Sequence, residues 1–221
     1  MSQAVSVKPD YHSPWIITAV SLILWTLVLL GLLYWGIEKE SEQVIELAHR
    51  EARANLHKEL ALRNWTAWRG GVYVELNRGS EPNPYMAHMP ERDIQTKTGK
   101  KLTLVNPADL LRQTMQEYHE LYGVKGRITS LSPINPDNAP DEWETGVLKR
   151  FEAGEQEAYA VALIQGQPFL RYMQSFPATE GCLKCHAYQG YKVGDVWGGV
   201  SVSVPLAPYL IMQKQRVAVL R

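Results

Sequence analysis

Cysteine is scarce in this chain of 221 residues, since Cys182 and Cys185 are the only two. A structural zinc site would need two further ligands at similar spacing, and the sequence does not supply them. Basic runs are also absent: 23 Lys and Arg residues balance 23 Asp and Glu residues, and no basic run is longer than a pair. Nucleic acid is therefore not an expected partner.

Catalytic motifs are missing as well. No segment has the form of a nucleophile elbow, a phosphate-binding loop or a metal-binding His-Glu pair. We therefore expect the chain not to be an enzyme that acts on an organic substrate.

Charge is absent from one long segment near the amino terminus, from Trp15 to Ile37. At about 1.5 Å per residue, a helix of this length exceeds the ~30 Å hydrocarbon core of a bilayer, so residues 15–37 are predicted to form a transmembrane helix. A cleaved signal peptide is the rival interpretation. The run is long for such a peptide, and no small-x-small cleavage site follows it, so we predict an uncleaved anchor in the lipid bilayer.

The run Cys182-Leu183-Lys184-Cys185-His186 has the spacing Cys-x-x-Cys-His. Two cysteines at this spacing lie on one side of a helical turn, where both can form thioethers to one porphyrin, and the next His can ligate its iron. A disulfide, a thioredoxin-like redox pair and half of a zinc site are the competing interpretations. None of them accounts for the trailing His186, so we predict one covalent haem c.

The predicted haem also sets the expected orientation. Thioether attachment of haem takes place outside the bacterial cytoplasm, where secreted thiols otherwise oxidise. Residues 1–14 should then be cytoplasmic and residues 38–210 periplasmic, so that the chain crosses the bacterial inner membrane once.

Residues 38–64 contain no Gly or Pro and repeat apolar residues at helical spacing. The membrane helix is therefore predicted to continue as a long amphipathic helix, supported by the pairs Glu46/Arg50 and Glu59/Arg63. Such a helix can pack on its own domain, on a second copy in a homodimer, or on both. His49 and His57 on this helix are expected to be solvated.

The remaining pattern predicts an α+β domain, a PAS-like antiparallel sheet with flanking helices. Gly70-Gly71 should end the long helix. Predicted strands are residues 72–76, 102–105, 125–131, 158–165, 168–175 and 196–204; predicted helices begin after the caps Asn106 and Asp141, and a short helix occupies 208–220 within the C-terminal segment 206–221. Residues 77–107 are expected to wrap the ligand.

Several stretches in this order resemble the Tll0287-like haem domain family, also called DUF3365. They are residues 70–74, 82–85, 101–108, 135–144, 182–186 and 198–205, and the resemblance covers roughly residues 40 to 210. It implies a periplasmic PAS-like domain that holds one c-type haem and often precedes a histidine kinase or chemotaxis output. No kinase sequence is present, so signalling is expected to pass to another membrane or periplasmic protein.

The second iron ligand is the open question of the predicted site. The resemblance implies a Met at the position that Leu110 occupies here, and this departure leaves the second ligand open. Met115 is the first candidate ligand to the haem iron, and His119, His88, Met89 or no protein ligand are the alternatives.

Two functions follow from the predicted site. A redox or diatomic-gas sensor would change its packing with the state of the haem and signal through a partner. A single-haem electron carrier of a membrane complex would hold its haem rigidly with one edge exposed.

Overall fold

The computed structural model describes residues 14–77, 79–186 and 189–219, and the side chains of Ser41, Lys184, Cys185, His186 and Val219 lie outside what it describes. The elements follow one another as α1 (Pro14–Arg69), β1 (Val72–Glu75), a 3₁₀ helix (Pro84–Met86), β2 (Asp93–Gln95), β3 (Lys101–Val105), α2 (Pro107–Tyr122), β4 (Lys125–Thr129), a second 3₁₀ helix (Pro136–Asn138), α3 (Glu142–Glu152), β5 (Glu157–Ile164), β6 (Gln167–Pro177), α4 (Glu180–His186), β7 (Val196–Pro205) and α5 (Ala207–Val219). The predicted cytoplasmic segment lies almost wholly outside the described residues.

Helix α1 joins the apolar segment and the amphipathic stretch into one helix of 56 residues, as predicted. Gly70 ends it in the left-handed region, with φ of +82°. The Gly70 amide donates to the Ala67 carbonyl and the Gly71 amide to the Thr66 carbonyl, which is the pattern of a Schellman motif. A Cβ on Gly71 would lie 2.6 Å from Leu104 Cδ1, so the chain turns closely over β3 at this point.

The amino-terminal part of α1 is long and apolar enough to cross a membrane. Its most apolar window of 18 residues has a mean hydropathy of 2.6 and is not buried against any other described part of the chain. This length and composition fit either a membrane anchor or a signal sequence.

The later part of α1 packs on its own domain. Val44, Ala48, Ala52 and Leu56 recur every four residues and are buried in the main hydrophobic core. His49 is half-buried beside this stripe, and its ring stacks on Tyr159 with centroids 4.3 Å apart. The expectation of a solvated His49 was therefore wrong, because β5 reaches the helix.

Within the described residues the strands form two antiparallel sheets, where a single PAS-like sheet was predicted. One sheet has the order β1-β3-β2 and the other has the order β4-β7-β6-β5. The difference arises at β3, which pairs with β1 along one edge and with β2 along the other. The predicted α+β class and the flanking helices are confirmed.

The four-stranded sheet carries apolar side chains on both faces. Leu170 and Tyr172 of β6 face the core that includes α1 and α2, whereas Met173 packs with α3 on the opposite face. This alternation follows the two-residue period of a strand. The sheet is thus the middle layer of the domain.

The predicted caps and the predicted hairpin are present. Asn106 Oδ1 accepts from the Asp109 amide at the start of α2, and Asp141 forms a full capping box with Glu144 in α3. The β5–β6 turn lies at Gln165 and Gly166, one residue earlier than predicted, and both residues have positive φ.

Glu144 is completely buried between α3 and the sheet. Its Oε1 accepts from Ser201 Oγ at 2.8 Å and lies 3.4 Å from Arg171 Nη2. Arg171 Nη2 also lies 2.7 Å from Asp141 Oδ2. This buried network joins the capping box of α3 to the strands β6 and β7.

Candidate functional site around Cys182

The Cys-x-x-Cys-His run forms the short helix α4, Glu180–His186. The Thr179 carbonyl begins the helix by accepting from the amides of Cys182 and Leu183. The backbones of both cysteines and of His186 therefore lie in one helical segment, as the spacing predicted. The side chains of Cys185 and His186 lie outside the described residues, so their roles as haem attachment point and iron ligand stay predictions.

Cys182 is buried, with 6% of its surface exposed. Its Sγ atom lies 3.3 Å from the Thr179 amide, 3.1 Å from Thr179 Oγ1 and 3.1 Å from Arg63 Nη2. Burial alone would raise the pKa of the Cys182 thiol, but the hydrogen bonds from Thr179 and Arg63 and the positive charge of Arg63 outweigh it. The pKa of Cys182 is consequently lowered.

Arg63 reaches this site from the carboxy-terminal end of α1. It is 6% exposed, its guanidinium lies over the Phe176 ring at 4.2 Å, and Nη1 donates to Asn64 Oδ1 at 3.1 Å. The ion pair Glu59/Arg63 that the sequence predicted does not form. Glu59 instead accepts from Thr114 Oγ1 at 2.9 Å. Glu46 and Arg50 do form their predicted pair, at 2.7 Å.

A cleft of about 1160 Å³, including space open to solvent, lies against Cys182. Its walls come from α1, β1, the 3₁₀ helix 84–86, β3, α2, α4 and β7. The lining residues are Arg63, Ala67, Gly70, Tyr73, Met86, Met89, Glu91, Leu104, Asn106, Pro107, Ala108, Gly181, Cys182 and Trp197. Most of these side chains are apolar. The segment 77–107, which was predicted to wrap the ligand, supplies six of the fourteen lining residues.

A second cleft of about 880 Å³, again including space open to solvent, adjoins the first. The two share the side chains of Met86, Asn106, Ala108 and Trp197 as a common wall. Movement of this wall would therefore change both clefts together.

Met115, the first ligand candidate from the sequence, lies elsewhere. It is buried in the main core, and a Cβ built on Gly126 of β4 would lie 2.6 Å from Met115 Cγ. It does not line the cleft beside Cys182 in the described part of the chain. The long side chain is used for packing α2 onto β4.

The other candidates are divided between the clefts and the rest of α2. Met89 lines the Cys182 cleft, and His88 lines the second cleft. His119 lies near the end of α2 with its Nδ1 atom buried, and it lines neither cleft. Sequence reasoning missed Met86, although an apolar residue directly after Asn83-Pro84-Tyr85, in a segment expected to wrap the ligand, was a usable signal.

The fold and this site define a class of protein: an α+β domain on a long amino-terminal helix, with a mostly apolar cleft beside a buried cysteine of a helical Cys-x-x-Cys-His run. The chain belongs to the Tll0287-like family, whose model matches residues 41–205. The family resemblance identified from the sequence is thereby confirmed.

Among solved structures, the chain is similar to the crystal structure of the cyanobacterial haem protein Tll0287. The two share 15% sequence identity and align over 70% of this chain and 92% of that one, with a TM-score of 0.47. No curated protein matches the chain.

Proposed function

We propose that this protein is a membrane-anchored haem c protein, with one haem attached through Cys182 and Cys185 and its iron bound by His186. The observation that carries the proposal is the position of Cys182, buried in the wall of a cleft of about 1160 Å³. This cleft opens to solvent and is lined mostly by apolar side chains, which suits a flat apolar group such as a porphyrin.

The donor set beside Cys182 suits this cofactor. Thr179 and Arg63 hold the Cys182 sulfur in the wall of the cleft. The thioethers of Met86 and Met89 are soft donors of the kind that haem iron accepts. The bound haem would supply an iron that changes oxidation state and takes axial ligands. Family membership also supports haem, since the cyanobacterial protein whose name the family bears is a haem protein.

Attachment through two thioethers favours a periplasmic location for the domain, because secreted thiols and covalent haem belong to that side of the bacterial inner membrane. We accordingly propose that the apolar part of α1 is a single-pass anchor in the lipid bilayer, with its amino terminus in the cytoplasm.

We further propose that the protein senses redox state or a diatomic gas and signals through another membrane or periplasmic protein. Arg63 and Ala67, which line the cleft, belong to the same unbroken helix that continues into the apolar segment. A change at the haem would therefore act directly on α1. This arrangement is what supports a sensor rather than an enzyme.

The alternative is a single-haem electron carrier. Gly70, Tyr73 and Glu91 line the cleft and are exposed, so the cleft reaches the surface. An exposed edge of this kind would allow a donor and an acceptor to approach the haem.

The first experiment tests the cofactor. The full chain, produced in a bacterial host that attaches haem c and purified in detergent, should gain the mass of one haem and show a Soret band. The double variant Cys182→Ser, Cys185→Ser should lose both signals. A Cys182–Cys185 disulfide with no added mass in the wild-type chain would exclude the proposal.

The second experiment separates the sensor from the carrier. Amide hydrogen exchange of residues 57–69 is compared between oxidised, reduced and carbon monoxide-treated protein, with residues 44–56 of the same helix as an internal reference. A sensor should change its exchange near Arg63 when the haem changes state. Identical exchange in all three states, with reversible reduction, would favour the carrier.

A further inference from the structure

Met86 lies in the wall that separates the two clefts. It is buried, with 4% of its surface exposed, and it lines both clefts. Met86 ends the 3₁₀ helix Pro84–Met86. Asn83 caps the start of this helix, because its Oδ1 accepts from the Tyr85 amide at 2.9 Å. Asn83 Nδ2 also donates to Asp109 Oδ2 at 2.7 Å, which ties this short helix to α2.

The sulfur of Met86 is held in a defined orientation. Asn106 Nδ2 donates to Met86 Sδ at 3.1 Å. The orientation of the Asn106 amide is set by its second role, since Oδ1 caps α2 by accepting from the Asp109 amide at 2.8 Å. The Asn106 NH₂ group must then point to the sulfur.

A thioether sulfur has two lone pairs, and the hydrogen bond from Asn106 engages one of them. The second lone pair stays available for a soft metal centre, and thioether sulfur is an established type of axial ligand for haem iron.

The other methionines considered as ligands lack this combination of features. Met115 is as deeply buried as Met86 but packs against Gly126 in the main core. Met89 lines the Cys182 cleft but is only half-buried. Leu110, at the position where the family resemblance implies a Met, has no donor atom.

We infer that Met86 supplies the second axial ligand to the haem iron, with Asn106 orienting its sulfur. This inference rests on the proposed function and replaces Met115 as the ligand candidate. A thioether ligand favours the reduced iron and raises the reduction potential, and it occupies the position that a gas would need. The signal sensed by the protein would then be redox state rather than a gas.

The test compares Met86→Leu with Met115→Leu in the full haem-loaded chain. Both substitutions keep the volume and remove the sulfur from an equally buried side chain, so folding is expected to tolerate each of them. Covalent haem is quantified first, and then the far-red sulfur-to-iron band of the oxidised protein, carbon monoxide binding to the reduced protein and the reduction potential are measured.

Wild-type protein and Met115→Leu should show the sulfur band and resist carbon monoxide. Met86→Leu should keep its covalent haem, lose the band, bind carbon monoxide and have a lower potential. Met86→His should restore a low-spin, carbon monoxide-resistant haem and so separate loss of a ligand from loss of structure.

Two results would overturn the inference while leaving the proposed function intact. One is a haem-loaded Met86→Leu protein whose band, gas binding and potential match the wild type. The other is loss of the band in Met115→Leu or in Met89→Leu but not in Met86→Leu. Absence of covalent haem from the wild-type chain would instead overturn the proposed function and this inference together.

Discussion

Arg63 Nη2 donates to Cys182 Sγ across 3.1 Å in the interior of the protein. The two residues are 119 positions apart in the sequence, and the contact joins the end of α1 to the beginning of α4. The first cysteine of the Cys-x-x-Cys-His run is thereby coupled to the helix that carries the apolar amino-terminal segment. Both residues are 6% exposed, so water competes little for the hydrogen bond.

Arg63→Met should raise the pKa of the Cys182 thiol in the haem-free chain, because it removes a hydrogen bond and a positive charge that favour the thiolate. The measurement is the pH dependence of alkylation of Cys182 in a Cys185→Ser background. The midpoint should move to higher pH. Arg50→Met, an exposed arginine on the same helix, is the matched control and should leave the profile unchanged. Identical profiles for all three proteins would contradict the role given to Arg63.

Asp141→Asn should reduce the sensitivity of the fold to acid. Burial opposes ionisation of Asp141, but the hydrogen bond from the Glu144 amide and the interaction with Arg171 outweigh it and hold the pKa below the ordinary value of 3.8. A carboxylate with a depressed pKa stabilises the fold above its unfolded pKa, and this stability is lost as the pH falls through the folded pKa.

The measurement for Asp141 is the free energy of unfolding between neutral pH and acid below 3.8. Wild-type protein should lose more stability on acidification than Asp141→Asn, which keeps a capping oxygen. Asp137→Asn, at an exposed aspartate of the second 3₁₀ helix, should behave as the wild type does. An acid-induced loss in Asp141→Asn as large as that of the wild type would rule out this contribution.

Gly198→Ala should destabilise the four-stranded sheet. Its Cβ would lie 2.6 Å from the Thr129 carbonyl oxygen, which belongs to the backbone of β4 and cannot rotate away. Overpacking of this kind typically costs about 1–3 kcal/mol. Gly146→Ala on α3, where no atom lies within 4 Å of the new Cβ, should instead gain about 0.5–1 kcal/mol through helix propensity. Denaturant unfolding measures the change in the free energy of unfolding for each variant. Changes of the same sign in the two variants would refute the steric argument.

Leu56→Ala should weaken the packing of α1 on the sheet. Leu56 is fully buried in the main core, and its truncation should cost about 2–5 kcal/mol in the free energy of unfolding. Leu62→Ala on the same helix removes a side chain that is 39% exposed and should change stability by about 0.5 kcal/mol or less. A similar loss for both variants would mean that α1 is not anchored through the buried stripe.

Local sequence signals predicted most of the elements correctly. The charge-free run is a property of one continuous segment, and the Gly70-Gly71 stop, the Asn106 and Asp141 caps and the β5–β6 hairpin each depend on a few neighbouring residues. Helical capping and turn chemistry act over three to five positions, so they can be recognised without knowledge of the rest of the fold.

The sequence by itself determined the helical Cys-x-x-Cys-His segment, the long amino-terminal helix and the α+β class, because spacing and periodicity specify these features. Only the tertiary structure decided that the described strands form two sheets, that Arg63 contacts Cys182 instead of pairing with Glu59, and that Met86 and not Met115 lines the cleft. Those contacts join segments that are many residues apart in the sequence. Which side chains of α1 and α2 face the interior depends on the strands that pack against each helix.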